Sequence, residues 1–159
     1  MRYNAERFIP YPFPVVWSIL SDVGHFTEMD SSHFGMILLT PQRSGVGAKF
    51  SCRHRYWPTF PFREDEVVCT VKVSDEKAGR ILLAEENKRA YRSHKQEFEL
   101  EERPNGTLVR FWVTIRDLPP IWSHWVRYFS RRVIREHLAN LEKACAERVR
   151  PGRGIDMFT

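Results

Sequence analysis

The chain is short of everything that would staple, anchor or repeat it. Its three cysteines, Cys52, Cys69 and Cys145, form no CxxC pair, and an odd number cannot all be joined within one chain. A disulfide framework is therefore excluded, and reduced thiols in a cytosolic protein are expected. No run of about 18 consecutive apolar residues occurs, and Met1 to Phe8 lacks a basic stretch followed by an apolar one. Neither a membrane span nor a secretory leader is expected. Low-complexity segments and internal repeats are missing too.

Signatures of common chemistry are equally scarce. The six histidines, His25, His33, His54, His94, His124 and His137, show neither HxxxH nor paired Cys/His spacing. There is no GxSxG, no P-loop, and no GxGxxG between a strand and a helix; Gly45-Val46-Gly47 is a turn signal only. Hydride transfer, phosphoryl transfer and metal hydrolysis all lack their equipment, so neither a cofactor nor a metal is expected.

What remains is ordinary globular material. A chain of 159 residues, 42% hydrophobic and 28% charged, fits one domain, and folding at this size buries roughly 70% of the exposed surface. The reading is a single domain over residues 1–149 and a loose tail at 150–159, where Pro151, Gly152 and Gly154 cluster. The net charge of +5 is divided between a basic helical line, Arg127, Arg131 and Arg135, and an acidic patch, Glu97, Glu99, Glu101 and Glu102. Such a division reads as solvated surface rather than as a nucleic-acid site.

Turn chemistry sets the order of elements. Arg2 to Ile9 reads as a first strand, ended by Pro10, Pro12 and Pro14. Pro14 suits the first turn of a short helix to Ser21, and a second short helix covers His25 to Met29. Strands follow at Phe34 to Thr40, Lys49 to Tyr56, Glu64 to Ser74, Arg80 to Asn87, Arg92 to Glu102 and Thr107 to Asp117. Pro104-Asn105-Gly106 is the strongest hairpin signal among them. Pro119 and Pro120 open a final helix to about Val149, with Trp122, Trp125, Val126, Phe129 and Val133 in its first half and Ile134, Leu138, Leu141, Cys145 and Val149 at helical spacing in its second. The fold class is α+β: a seven-stranded antiparallel sheet around a long C-terminal helix.

Period-two alternation gives that sheet a charged face and an apolar one. Phe50, Cys52, His54 and Tyr56 share a face against Lys49, Ser51, Arg53 and Arg55; Val67, Cys69, Val71 and Val73 oppose Glu64, Glu66, Thr70 and Lys72. His94, Gln96, Phe98 and Leu100 oppose Ser93, Lys95, Glu97, Glu99 and Glu101, and Val109, Phe111, Val113 and Ile115 continue the apolar face. His54, His94 and Gln96 stand out as polar groups on the side that ought to be dry. An unpaired buried polar group costs about 1 to 3 kcal/mol, so each needs a protein partner, a water or a ligand. Either they bond one another and the backbone, or they orient a bound molecule, with His54 and His94 able to move a proton near neutral pH.

In an antiparallel meander alternate connections gather at one end. The turns at residues 41–47, 75–79 and 103–106 are polar, whereas the opposite end collects Trp57, Phe60, Phe62, Tyr91 and Trp122 together with Arg89. Aromatic connections at one end of a sheet describe the mouth of an apolar pocket, with Arg89 a grip for a carboxylate or phenolate. The same rings would equally serve to cap the core or to form a homodimer contact. Phe98, Phe111, Trp125 and Phe129 complete the expected lining.

One stretch is familiar. Ile9-Pro10-Tyr11-Pro12-Phe13-Pro14-Val15-Val16-Trp17, with Leu20 and Asp22, resembles the opening of the START/Bet v 1-like (SRPBCC) superfamily, in particular its polyketide cyclase/dehydrase and lipid-transport branch. Gly45-Val46-Gly47 before a strand, the run of strands and the last helix extend the resemblance to about residues 2–148. It implies a helix-grip fold with a cavity between sheet and helix, in proteins that bind lipids, polyketides, hormones or quinones and in some cases catalyse cyclisation, aromatisation or dehydration. No universal catalytic residue accompanies it. Pro14 stands where an acidic residue is often found, and the aromatic loop at 57–62 is bulkier than usual for the family.

Three functions fit. The chain binds or carries an apolar or aromatic small molecule; or it is a cofactor-independent cyclase or dehydratase, with His54 and His94 as base and acid and Tyr56 or Gln96 polarising a carbonyl; or it is an interaction module using its basic helix or exposed rings.

Overall fold

The computed structural model describes residues 1–55, 64–86, 93–116 and 120–150, with 120–125 and 127–129 described as backbone alone. The expectations placed on Tyr56, Trp57, Phe60, Phe62, Arg89 and Tyr91 therefore lie outside the described residues. So do those on the side chains of Trp122, Trp125 and Phe129.

Seven strands, β1 (Arg2–Ile9), β2 (His33–Leu38), β3 (Lys49–Arg55), β4 (Glu64–Asp75), β5 (Arg80–Glu86), β6 (Ser93–Arg103) and β7 (Gly106–Arg116), form one antiparallel sheet. Its order is β1-β7-β6-β5-β4-β3-β2, so a run of consecutive antiparallel neighbours is extended by β1 pairing back along β7. Between β1 and β2 lie α1 (Phe13–Ser21), a 3₁₀ turn (Val23–His25) and α2 (Phe26–Met29); α3 (Pro120–Arg148) closes the order. The strand ends fall close to where turn chemistry places them. Asn105, at φ 67, takes the left-handed turn position that its hairpin signal announces.

Alternation sets the two faces as the sequence predicts. On the outer face the acidic patch is interleaved with arginines: Glu97 pairs with Arg80 and Arg2, and Glu101 with Arg110 and Arg103. The inner face carries Phe50, Cys52, Val67, Cys69, Val71, Phe98, Phe111 and Val113, all buried. Val73 corrects the expectation. Val71 pairs with Leu83 but Val73 with Leu82, so a bulge at Lys72 inserts one residue and turns Val73 to the side of Leu82, leaving it half-buried. A second shift between Phe34 and Ile37 interrupts β2. Ser51, assigned to the wet face, is buried opposite Ile37.

Onto the inner face packs the second half of α3, burying Ile134, Leu138, Leu141 and Cys145, whereas Val149, expected on the same stripe, lies just past the end of the helix and is exposed. Glu142 binds Arg7 of β1 at 2.6 Å, and Asn140 donates to the Met29 carbonyl at 3.1 Å, so the helix is tied to both flanks. At the polar end of the sheet the carbonyl of Gly79, a residue at φ 63, accepts from the Leu100 N–H at 2.7 Å. A Cβ there would stand 2.2 Å from the Leu100 carbonyl oxygen. Gly79→Ala is therefore expected to cost at least about 2 kcal/mol, from left-handed strain plus a backbone clash. A urea midpoint within error of the parent would contradict this.

Candidate functional site

The inner face ends in a layer of ionisable side chains. Glu85 on β5 sits directly across from His94 on β6, and His33 on β2 directly across from His54 on β3. Strands β4 and β3 separate β5 from β2, yet His33 Nε2 lies 3.4 Å from Glu85 Oε2. Only strong curling of the sheet brings them together. His94 Nδ1 is 2.8 Å from Glu85 Oε2 and His54 Nδ1 is 3.6 Å from Glu85 Oε1. One carboxylate thus gathers imidazoles from three strands. The rings of His33 and His54 lie 4.3 Å apart, centroid to centroid.

A second carboxylate backs the first. Asp30, just past α2, accepts from His33 Nδ1 at 3.0 Å and from the Ser32 hydroxyl and amide. His137 of α3 points its Nδ1 toward Asp30 at 3.9 Å, with its ring against Phe98, Phe111 and Phe26.

Burial and charge divide the protonation states. Burial opposes ionisation of Glu85, but the pull of His94 and the polar contacts of His33, His54 and His94 hold it well below the usual carboxylate range. Asp30 is likewise desolvated, and the charge and hydrogen bond of His33, with His137 and Ser32, keep it ionised. For His33 burial works against the imidazolium, yet Asp30 and Glu85 together raise it well above an ordinary histidine. His54 is lowered, first by burial and then by the positive charge of His33. His137 is pushed down to about 4, chiefly by burial, with Asp30 too distant to offset it. The layer therefore sets two ionised carboxylates around the charged His33, with His54 and His137 neutral at pH 7. Ionised Glu85 makes Nδ1 of His94 the donor.

Of the residues singled out from sequence, His54, His94 and Gln96 come together on the inner face at this layer. Gln96 is 2% exposed and its Oε1 has no hydrogen-bond partner among the described residues. Phe98 and Phe111 stack face to face 4.2 Å apart in the buried core beneath it. Glu85, His33, Asp30 and His137 were not singled out. For Glu85 the signal existed: it shares the alternating face of Ile81 and Leu83. His137 shares its helical stripe with Ile134 and Leu141. For His33 and Asp30, at a strand start and in a turn, no local pattern points inward.

The layer occupies the end of the sheet from which residues 56–63, 87–92 and 117–119 depart, opposite the polar turns. Solved structures of other proteins share the fold. TTHA0849 from Thermus thermophilus superposes with a TM-score of 0.73 at 14% identity, covering 94% of this chain and 100% of that one. A START superfamily protein from Mycobacterium smegmatis gives 0.73 at 11% identity, covering 92% and 97%. The fold is the START-like helix grip. Ara h 8.0201 shares it at a TM-score of 0.63 and 12% identity, over 92% of this chain and 98% of that one. The sequence matches no protein-family model and no curated protein. The START-like fold accounts for the grip of sheet on helix. Among the described residues, no helix is long and apolar enough to cross a membrane.

Proposed function

We propose that this chain binds an apolar or aromatic small molecule between the inner face of the sheet and the first half of α3. The observation that carries the reading is Gln96. Its carbonyl oxygen is buried without a partner among the described residues, beside a charged histidine layer and above a stacked aromatic floor. A native protein accepts that cost where a ligand donor supplies the missing bond. The START-like fold supports the reading, because the family resemblance drawn from the sequence implies a cavity at this place. Trp57, Phe60, Phe62, Tyr91, Trp122, Trp125 and Phe129 would supply its apolar wall, and Arg89 an anionic grip. An oxygen-bearing end of the ligand would face His54, His94 and Gln96.

Gln96→Leu separates ligand binding from architecture. It removes an unsatisfied oxygen, so the free protein should gain about 1 kcal/mol. The bound molecule should at the same time lose roughly tenfold in affinity. Native mass spectrometry of the purified chain would first identify any co-purified compound; otherwise 1-anilinonaphthalene-8-sulfonate serves as the titrated probe. No saturable binding by wild type, or equal binding by both proteins, would defeat the proposal.

One arrangement favours a catalytic version of the same site. His54 is held beside Glu85, the relation of an imidazole base to an orienting carboxylate. In a cyclase or dehydratase, His54 would take a proton α to a carbonyl and His94 return one to oxygen, with Tyr56 or Gln96 polarising the carbonyl. Turnover of a poly-β-keto thioester lost in His54→Ala and His94→Ala, with affinity near normal, would select this version. Binding without turnover by wild type would select the carrier.

A further inference from the structure

No metal motif is visible along the chain, but three strands assemble a ligand set that spacing rules do not reach. One donor atom each from His33, His54 and Glu85 lies within 4.8 Å of the others. His33 Nε2 stands 3.4 Å and His54 Nδ1 3.6 Å from the Glu85 oxygens. Donors about 2.1 Å from a tetrahedral zinc ion are separated by roughly 3.4 Å, and the two measured distances, one to each oxygen of the Glu85 carboxylate, are close to that spacing. We propose that His33, His54 and Glu85 form a binding site for a divalent first-row transition-metal ion.

Two independent features support this. The first is the atom that would coordinate: His33 Nε2 is buried, has no hydrogen-bond partner among the described residues and faces Glu85 at 3.4 Å. The second is its support. His33 Nδ1 donates to Asp30 at 3.0 Å, which fixes the ring orientation and leaves Nε2 as the nitrogen turned toward Glu85. Metal-ligating histidines are held by a carboxylate in this way. Asp30 is itself fixed by the Ser32 amide and hydroxyl, and Glu85 by His94 at 2.8 Å. Two imidazoles and one carboxylate suit zinc, iron(II) or cobalt(II) better than the oxygen-only preference of calcium or magnesium. Binding replaces the Nε2 proton of His33 by the metal ion and releases that proton to solvent. Remaining coordination positions fall to water or to an oxygen of a bound molecule. This site does not depend on the small-molecule reading, since the metal ion alone is the probe.

The test uses the full chain after chelator treatment and zinc chloride as titrant, followed by calorimetry and by long-range proton–nitrogen spectra of the imidazoles. Saturation at one zinc per chain, with nitrogen shifts at His33 and His54 and none at exposed His25, is expected. His54→Ala, at the least buried of the three positions, should weaken binding more than about 100-fold, and Asp30→Asn by about 10- to 100-fold. If either variant does not fold, the wild-type imidazole shifts decide alone. Absence of saturable binding, shifts confined to other histidines, or a folded His54→Ala protein with zinc affinity within about threefold of wild type would each overturn the site.

Discussion

Replacing Glu85 by alanine, with a chelator present, is expected to destabilise the chain by about 3 to 5 kcal/mol, the cost of breaking a buried ion pair by removing one partner. The carboxylate is 2% exposed and is approached by His33, His54 and His94 from three strands. Without it the His33 charge retains only Asp30 as counter-ion among the described residues, in a place where water does not reach. Set against a total stability of about 5 to 15 kcal/mol for a typical domain, that loss is about a fifth of the whole or more. Glu85→Gln keeps the shape but not the charge, and should fall between alanine and wild type. Urea unfolding at pH 7 reads all three proteins, and a loss below about 1 kcal/mol for Glu85→Ala would mean that the layer is not coupled through this carboxylate.

The opposite sign is expected at His137. Its side chain is buried against Phe98 and Phe111, and neither ring nitrogen has a hydrogen-bond partner among the described residues. Leucine at this position removes two unsatisfied polar atoms from an apolar surface, and should stabilise the chain by about 1 to 3 kcal/mol at pH 7.5. The pH dependence gives a sharper check. The folded pKa of His137 is lowered to about 4 from the model-peptide value of 6.5, so between these values the unfolded chain binds the extra proton. Stability is therefore lost as pH falls from 6.5 to 4, by about 3 kcal/mol for this group. His54, also lowered, adds to the same limb. His33 acts oppositely: its raised folded value gives stability that is complete below pH 6.5 and is lost as pH rises further. Asp30 and Glu85, both lowered, contribute stability that is present above their unfolded values and lost only at the acid end. His137→Leu should thus flatten the slope between pH 6.5 and 4, leaving the part that belongs to His54. An unchanged slope would reject the assignment.

The architecture was legible because each strand of an open sheet has one wet and one dry side, and charge alternation reports that directly. Asn105-Gly106 and the Pro119-Pro120 stop placed the last hairpin and α3 to within a residue or two. Val73 escaped because a bulge adds a residue without leaving a mark in the pattern. In the site, His54, His94 and Gln96 were visible as polar interruptions of the dry face. Glu85 carries the same mark within Ile81, Leu83 and Glu85, but one acid at the end of a strand resembles the solvated glutamates around it. His33 was beyond reach: its place depends on pairing with His54 and on sheet curvature, neither of which is a local property. Metal motifs read by spacing share that blindness, since His33, His54 and Glu85 come from separate strands.

Strand β2 has a further consequence. It lies at the margin of the sheet, pairs among the described residues only with β3, and is interrupted between Phe34 and Ile37. Margins of this kind detach at a fraction of the free energy needed to unfold the whole chain. Fraying of β2 would carry His33 away from both Asp30 and Glu85 while the strands holding Glu85, His94 and Gln96 stay zipped. The layer can therefore come apart without loss of the body that supports it, and amide hydrogens of β2 should exchange with solvent sooner than those of β6 and β7.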